Sequence, residues 1–137
     1  MPDLPFPQGF KACGVAAGMK KDGARDVALI VSETLAAAAG TTTRNRFFSP
    51  AVAATRKRLE RGALRAIAAN AKFSNAATGE RGLRDSERMA ACAAEALGLD
   101  PMEVAVASTG VIGQFMPMEK IEAGIAAAAR ALRPDGW

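Results

Sequence analysis

The sequence predicts an α/β chain, α/β or α+β in its layering, with helices packed on a β-sheet, and three features carry that prediction. Two apolar, β-compatible stretches, residues 9–19 and 26–33, lie close together near the start. After them, helical and strand-like segments alternate. The helical segments are bracketed by residues that start and stop helices, such as Ser49-Pro50 and Gly62, or Pro117 and Pro134.

Taken in order, residues 1–8 contain three prolines and form an extended arm; residues 9–137 form one domain. Residues 9–19 (GFKACGVAAGM) are small and apolar, and Lys20-Lys21-Asp22-Gly23 makes a turn. Residues 26–33 (DVALIVSE) are the stronger strand, because Val27, Leu29, Ile30 and Val31 form a nearly continuous buried run. The two stretches pair as a hairpin. The alanine-rich residues 35–40 are expected as a helical turn, and residues 41–46 return to extended structure.

Ser49 is a helix N-cap with Pro50 at the first helical position, and this helix runs to Arg61 and stops at Gly62. Residues 63–69 (ALRAIAA) are the third strand, and residues 70–79 a polar loop. A helix between Gly79 and Leu97 carries Met89, Cys92, Ala93, Ala96 and Leu97 on an apolar face. Gly98 closes it, and Asp100-Pro101 resets the chain for a strand at residues 104–107. Pro117 opens the last helix, with Met118, Ile121, Ile125, Ala128 and Leu132 on one side and Glu119, Lys120, Glu122 and Arg130 on the other.

At 137 residues, half of them apolar, the chain suits a single domain with a core. Alanine dominates that apolar half, aromatics make up 5% and tyrosine is absent. Each alanine buries little more than a methyl group, so the core is thin, which hints at a larger assembly. The net charge is +4, with basic residues at Arg44 and Arg46 and at Arg56, Lys57, Arg58, Arg61 and Arg65. A solvated helix face accounts for this cluster, with carboxylate binding as the alternative. Without an aromatic-interleaved basic motif, nucleic acid is not expected as a partner.

Histidine is absent, which removes Ser-His-Asp and Cys-His catalysis and the usual zinc sites from this chain. Cys13 and Cys92 stand far apart and are expected as reduced core thiols. No G-x-G-x-x-G or P-loop is present, so no nucleotide cofactor is expected, nor a metal. No secretory leader and no membrane-spanning run is apparent, which leads to a cytoplasmic expectation.

One stretch combines a strand with a glycine turn: Ala105-Val106-Ala107-Ser108-Thr109-Gly110-Val111-Ile112-Gly113. A strand that ends at such a turn leaves backbone N–H groups without ladder partners. They can satisfy one another in a plain turn, or face an anion or a developing oxyanion.

Four separated motifs in order resemble the ornithine acetyltransferase family, the bifunctional glutamate N-acetyltransferases of arginine biosynthesis. They are GFKACGVAAGMKKDGARDVALIVSE, the Thr43-Arg44-Asn45-Arg46 region, residues 70–79 followed by Glu80-Arg81-Gly82, and AVASTGVIG with Pro117-Met118. The resemblance covers nearly all of the chain past residue 8 and corresponds to most of the family's N-terminal α segment. It implies a self-processing fold in which autocatalytic cleavage before a threonine creates a β chain whose N-terminal Thr is the nucleophile. Acetyl then passes from N-acetylornithine to that Thr and on to glutamate, in ping-pong order.

The resemblance assigns the oxyanion hole to Thr109 and Gly110 and implies a hetero-oligomer of α and β chains, a heterotetramer. On this reading the domain is incomplete without its β chain. Lys72 and Phe73 depart from the family's Asn-Ser-Gly-Asn-Ala-Asn-Ala loop, and Arg44 from its Thr-Thr-Asn-Arg pattern. These departures leave two alternatives: a specificity-shifted or non-catalytic paralogue serving as scaffold, or a related amidohydrolase that uses water as acceptor.

Overall fold

A computed structural model describes residues 7–136. Apart from its last two positions, which enter a turn, the expected N-terminal arm lies outside the described residues. The predicted architecture is present: a four-stranded sheet with helices layered on it. Strands β1 (Phe10–Val15), β2 (Val27–Ala37), β3 (Ala63–Asn70) and β4 (Val104–Ser108) lie side by side in chain order. Helices α1 (Pro50–Leu59), α2 (Gly79–Leu97) and α3 (Met118–Arg130) complete it.

β1 and β2 pair antiparallel, with Cys13 opposite Leu29, as the hairpin reading requires. β2 and β3 are also antiparallel, whereas β3 and β4 run parallel, a pairing that needs the crossover supplied by α2. The link from β1 to β2 is organised by one carboxylate. Asp26 accepts the backbone N–H groups of Ala17 (2.6 Å), Met19 (2.7 Å) and Lys20 (2.9 Å). Burial works against its charge, but those three donors, helped by the Lys20 ammonium, hold the carboxyl below its usual range.

Two local expectations are corrected. Residues 35–37 extend β2 instead of forming a helical turn, pairing Ala36 with Leu64 and Ala37 with Ala63 after a register shift. One isolated turn of alanine helix cannot repay its nucleation, while β3 offers ladder hydrogen bonds directly. Residues 41–46 leave the sheet and follow an irregular path held by Arg56, which donates to the Thr42 hydroxyl and the Thr43 carbonyl.

α1 begins as its sequence dictates, the Ser49 hydroxyl accepting from Val52 N–H, and Gly62 turns the chain back into β3. Its basic residues are not simply solvated. Arg58 is fully buried, donating to the Ala54 and Pro101 carbonyls and to both oxygens of Glu87. Arg61 pairs with Asp100, and Arg65 donates to the carbonyls of Ser32 and Glu33.

All three helices cover one face of the sheet. α3 packs on β1 and β2, α1 on β3 and β4, and α2 lies between them. Val27, Leu29, Ala66, Ala68, Val104 and Val106 point into this core to meet Met89, Ala90, Ala93, Ile121 and Ile125. Small residues let the layers approach closely. A Cβ on Gly124 would sit 2.9 Å from Val27 Cγ2 and 2.8 Å from Ala17 Cβ, so α3 docks there only as glycine. Ala96, expected on the apolar face of α2, is exposed, and Ala90 and Ala94 are buried instead.

The other face of the sheet has no helix over it among the described residues. Ile30 is 41% exposed and Ile67 40% exposed, and Ala28 and Ala69 share that face by register. Ala28, Ile30 and Ala69 line a trough of about 600 Å³, apolar almost throughout, and Ile67 lies next to it as the register partner of Ile30. No helix of the described residues is long and apolar enough to cross a membrane.

Candidate functional site

β4 ends at Ser108, and the chain then turns sharply at the margin of the trough. Thr109 N–H donates to the Asn70 carbonyl at 3.1 Å, the last bond of the β3–β4 ladder. Gly110 follows with φ +133°, in a region that side chains rarely adopt. A Cβ on Gly110 would lie 2.2 Å from the Lys72 carbonyl carbon and 2.6 Å from Phe73 N, so only glycine fits. This close approach is what the turn sequence encodes.

The loop after β3 grips the turn along its length. Val111 N–H donates to the Lys72 carbonyl (2.9 Å), and Gly113 N–H to the Ala76 carbonyl (2.8 Å). Ser74 donates to the Val111 carbonyl twice, through N–H at 3.1 Å and through its hydroxyl at 2.9 Å. To make these bonds the loop takes unusual backbone angles: φ is +79° at Lys72, +49° at Asn75 and +59° at Ala77.

The two candidate residues sit together on this seat, and both are exposed. Thr109 lines the trough. Among the described residues, neither its hydroxyl nor the Gly110 N–H has a hydrogen-bond partner. Two neighbouring donors on a rigid turn can stabilise a negative oxygen.

Asn70 and Asn75, weighed as turn residues or catalytic groups, both act on the loop. Asn75 is fully buried; its amide nitrogen donates to the Gly82 carbonyl and the Ser86 hydroxyl, and its oxygen accepts from Thr78. Asn70 donates to the Phe73 carbonyl at 2.9 Å, and its own amide oxygen is buried without a partner among the described residues. Lys72 is exposed, whereas Phe73 packs against the core.

Beyond the turn, the Arg81 guanidinium lies over the Phe115 ring, 4.1 Å from its centre, and Ile112 and Leu83 are also exposed. Nearby Asp85 is desolvated by burial, which raises its carboxyl above the usual range against the pull of Arg81 and Arg84. Both cysteines are free. Cys13 is half-buried, and Cys92 is buried, its thiol pushed up by desolvation and then by Glu122. No group of three or more His, Cys, Asp or Glu among the described residues could hold a metal.

Sequence reasoning missed the open apolar face, although its signal was present. Residues 27–31 are apolar at both parities, a pattern of strands covered on two sides, and only one side is covered here.

A family model described as the ArgJ family matches residues 11–135. An arginine biosynthesis bifunctional protein ArgJ from Symbiobacterium thermophilum is 51% identical over 132 residues, which is 95% of this chain and 33% of that protein. The Thermus thermophilus protein of the same name is 48% identical over 88% of this chain and 32% of its own length. This chain thus spans about a third of the length of the curated relatives it matches. Among solved structures, the ornithine acetyltransferase of Mycobacterium tuberculosis, complexed with ornithine, superposes with a TM-score of 0.91 at 42% identity, over 93% of this chain and 69% of that one. An arginine biosynthesis bifunctional protein from Bacillus halodurans follows at 0.87 and 36% identity, over 94% of this chain and 68% of that one.

Proposed function

This chain belongs to the ArgJ family, and from that premise we propose that it is the α portion of an N-acetyltransferase working in arginine biosynthesis. It moves acetyl from N-acetylornithine to glutamate in the cytoplasm. Thr109 and Gly110 stabilise the oxyanion, and the attacking group is the N-terminal Thr of a companion β chain released by autocatalytic cleavage.

The reaction accounts for its atoms in two halves. The Thr oxygen attacks the acetyl carbonyl carbon, and the carbonyl oxygen gains charge against the Thr109 hydroxyl and the Gly110 N–H. The C–N bond then breaks, ornithine leaves with the proton taken from the nucleophile, and acetyl remains as an ester. The glutamate amine attacks that ester through a second oxyanion in the same place, and the Thr oxygen departs with a proton. The β chain's own α-amine relays these protons, so the scheme runs without histidine.

The observation that carries the reading is the pair of donors, Thr109 and Gly110, unpartnered among the described residues and seated at the margin of an apolar trough. The sheet face left without a helix among the described residues supports the companion chain, since Ile30 and Ile67 need a second layer to leave water. On this reading residues 9–137 are one α-chain domain completed by the β chain in a hetero-oligomer.

The test is Thr109→Ala in the natively purified protein with the polypeptide that accompanies it. Turnover of N-acetylornithine with glutamate should fall about 100- to 1000-fold with assembly intact, the usual cost of losing one oxyanion donor. Unchanged turnover rejects the role. Loss of N-acetylornithine without glutamate, at a rate equal to that with it, would instead make the protein an amidohydrolase.

A further inference from the structure

Resting on that reading, we infer that Asn70 is a positioning residue for acetyl transfer: its buried amide sets the loop on which the Thr109–Gly110 turn is seated. The side chain is 3% exposed at the end of β3. Its nitrogen donates to the Phe73 carbonyl at 2.9 Å and to the Ala71 carbonyl at 3.4 Å, closing residues 70–73 into a tight turn. Its backbone carbonyl accepts Thr109 N–H, so one residue holds both sides of the junction.

The closed turn fixes Lys72 at φ +79°, and that conformation aims the Lys72 carbonyl at Val111 N–H. It also leaves the groove between Lys72 and Phe73 into which Gly110 fits without room for a Cβ. A shift of the Phe73 carbonyl therefore moves the Gly110 N–H, the group that meets the oxyanion.

Stability alone is a poor reason for this side chain. The amide oxygen of Asn70 is buried and makes no hydrogen bond among the described residues, a cost that a purely structural residue would avoid. Asn70 touches no reacting atom in this scheme; it acts through the backbone of Lys72 and Phe73.

Asn70→Asp is close to isosteric and turns the donor into an oxygen facing two carbonyls. In the natively purified complex, kcat for acetyl transfer should fall about 10- to 100-fold while KM for both substrates stays within about threefold, because placement of the donors changes and substrate binding does not. Ser74→Ala removes a brace on the other side of the same turn, at the surface, and should lower kcat about 3- to 10-fold with KM again steady. The Ser74 variant decides the matter if Asn70→Asp fails to fold.

Unchanged kcat in Asn70→Asp, or in Ser74→Ala where Asn70→Asp does not fold, overturns the inference, as does a loss expressed wholly in KM. The outcome also separates the inference from its premise. A Thr109→Ala protein with full turnover removes the oxyanion reading itself. A crippled Thr109→Ala beside a fully active Asn70→Asp removes only the role of Asn70.

Discussion

Lys72 shows how much a single residue contributes to the site through its backbone alone. At φ +79° a lysine is held where side chains collide with their own carbonyl, at a cost of about 1–2 kcal/mol. The Val111 N–H bond and the Gly110 contact hold it there. Glycine carries no such penalty but loses more entropy on folding. With both counted, Lys72→Gly should stabilise the protein by about 0.5 kcal/mol in urea unfolding. A destabilised variant would mean that the exposed lysine side chain makes contacts that outweigh the strain. Thr109 and Gly110 were visible in the sequence as a glycine turn at a strand end. The strain at Lys72 was not, since no local pattern announces a positive φ on lysine.

Among the elements, the β1–β2 hairpin depends most on one carboxylate. Three backbone N–H groups close on Asp26, and only an ionised carboxylate can accept all of them well. Asp26→Asn should therefore cost about 2 kcal/mol at pH 7, read from denaturant midpoints. The sign with pH follows from the lowered carboxyl. Its contribution is fully present above the unfolded value of 3.8 and is lost as pH falls through the lower folded value. The gap between the parent protein and the variant should narrow in that acid range. A gap independent of pH would assign the effect to packing instead. α1 teaches a related lesson. Its cap and stop residues were legible, but the burial of Arg58 was not, because Glu87 lies on a different helix.

At the scale of the whole molecule, one sheet face is packed, and among the described residues no helix covers the other. Among the described residues, Ile30, which lines the apolar trough, and its register partner Ile67 stay half in water, and the proposed companion chain supplies the missing layer. Ile67→Lys would place a charge on that face, opposite Ile30. Burying it unpaired should weaken association by about 3 kcal/mol, over 100-fold in Kd, while leaving the circular dichroism of the chain unchanged. Co-purification of the two polypeptides measures this directly. Retained association at parent strength would place the partner elsewhere on the surface.

Local chemistry, by itself, determined the order of strands and helices, the Ser49-Pro50 start, the Gly98 and Gly62 stops, and the turn at Thr109-Gly110. These follow from periodicity and from residues whose conformational limits act within a few positions. Only the tertiary structure decided that residues 35–37 join β2, that Arg58 is buried, and that one sheet face has no helix over it among the described residues. Each of these depends on a partner distant in sequence: β3 for the alanines, Glu87 for the arginine, a second layer for the open face. Contacts between distant segments form because the folded chain brings them together, and nothing in a local stretch of sequence specifies them.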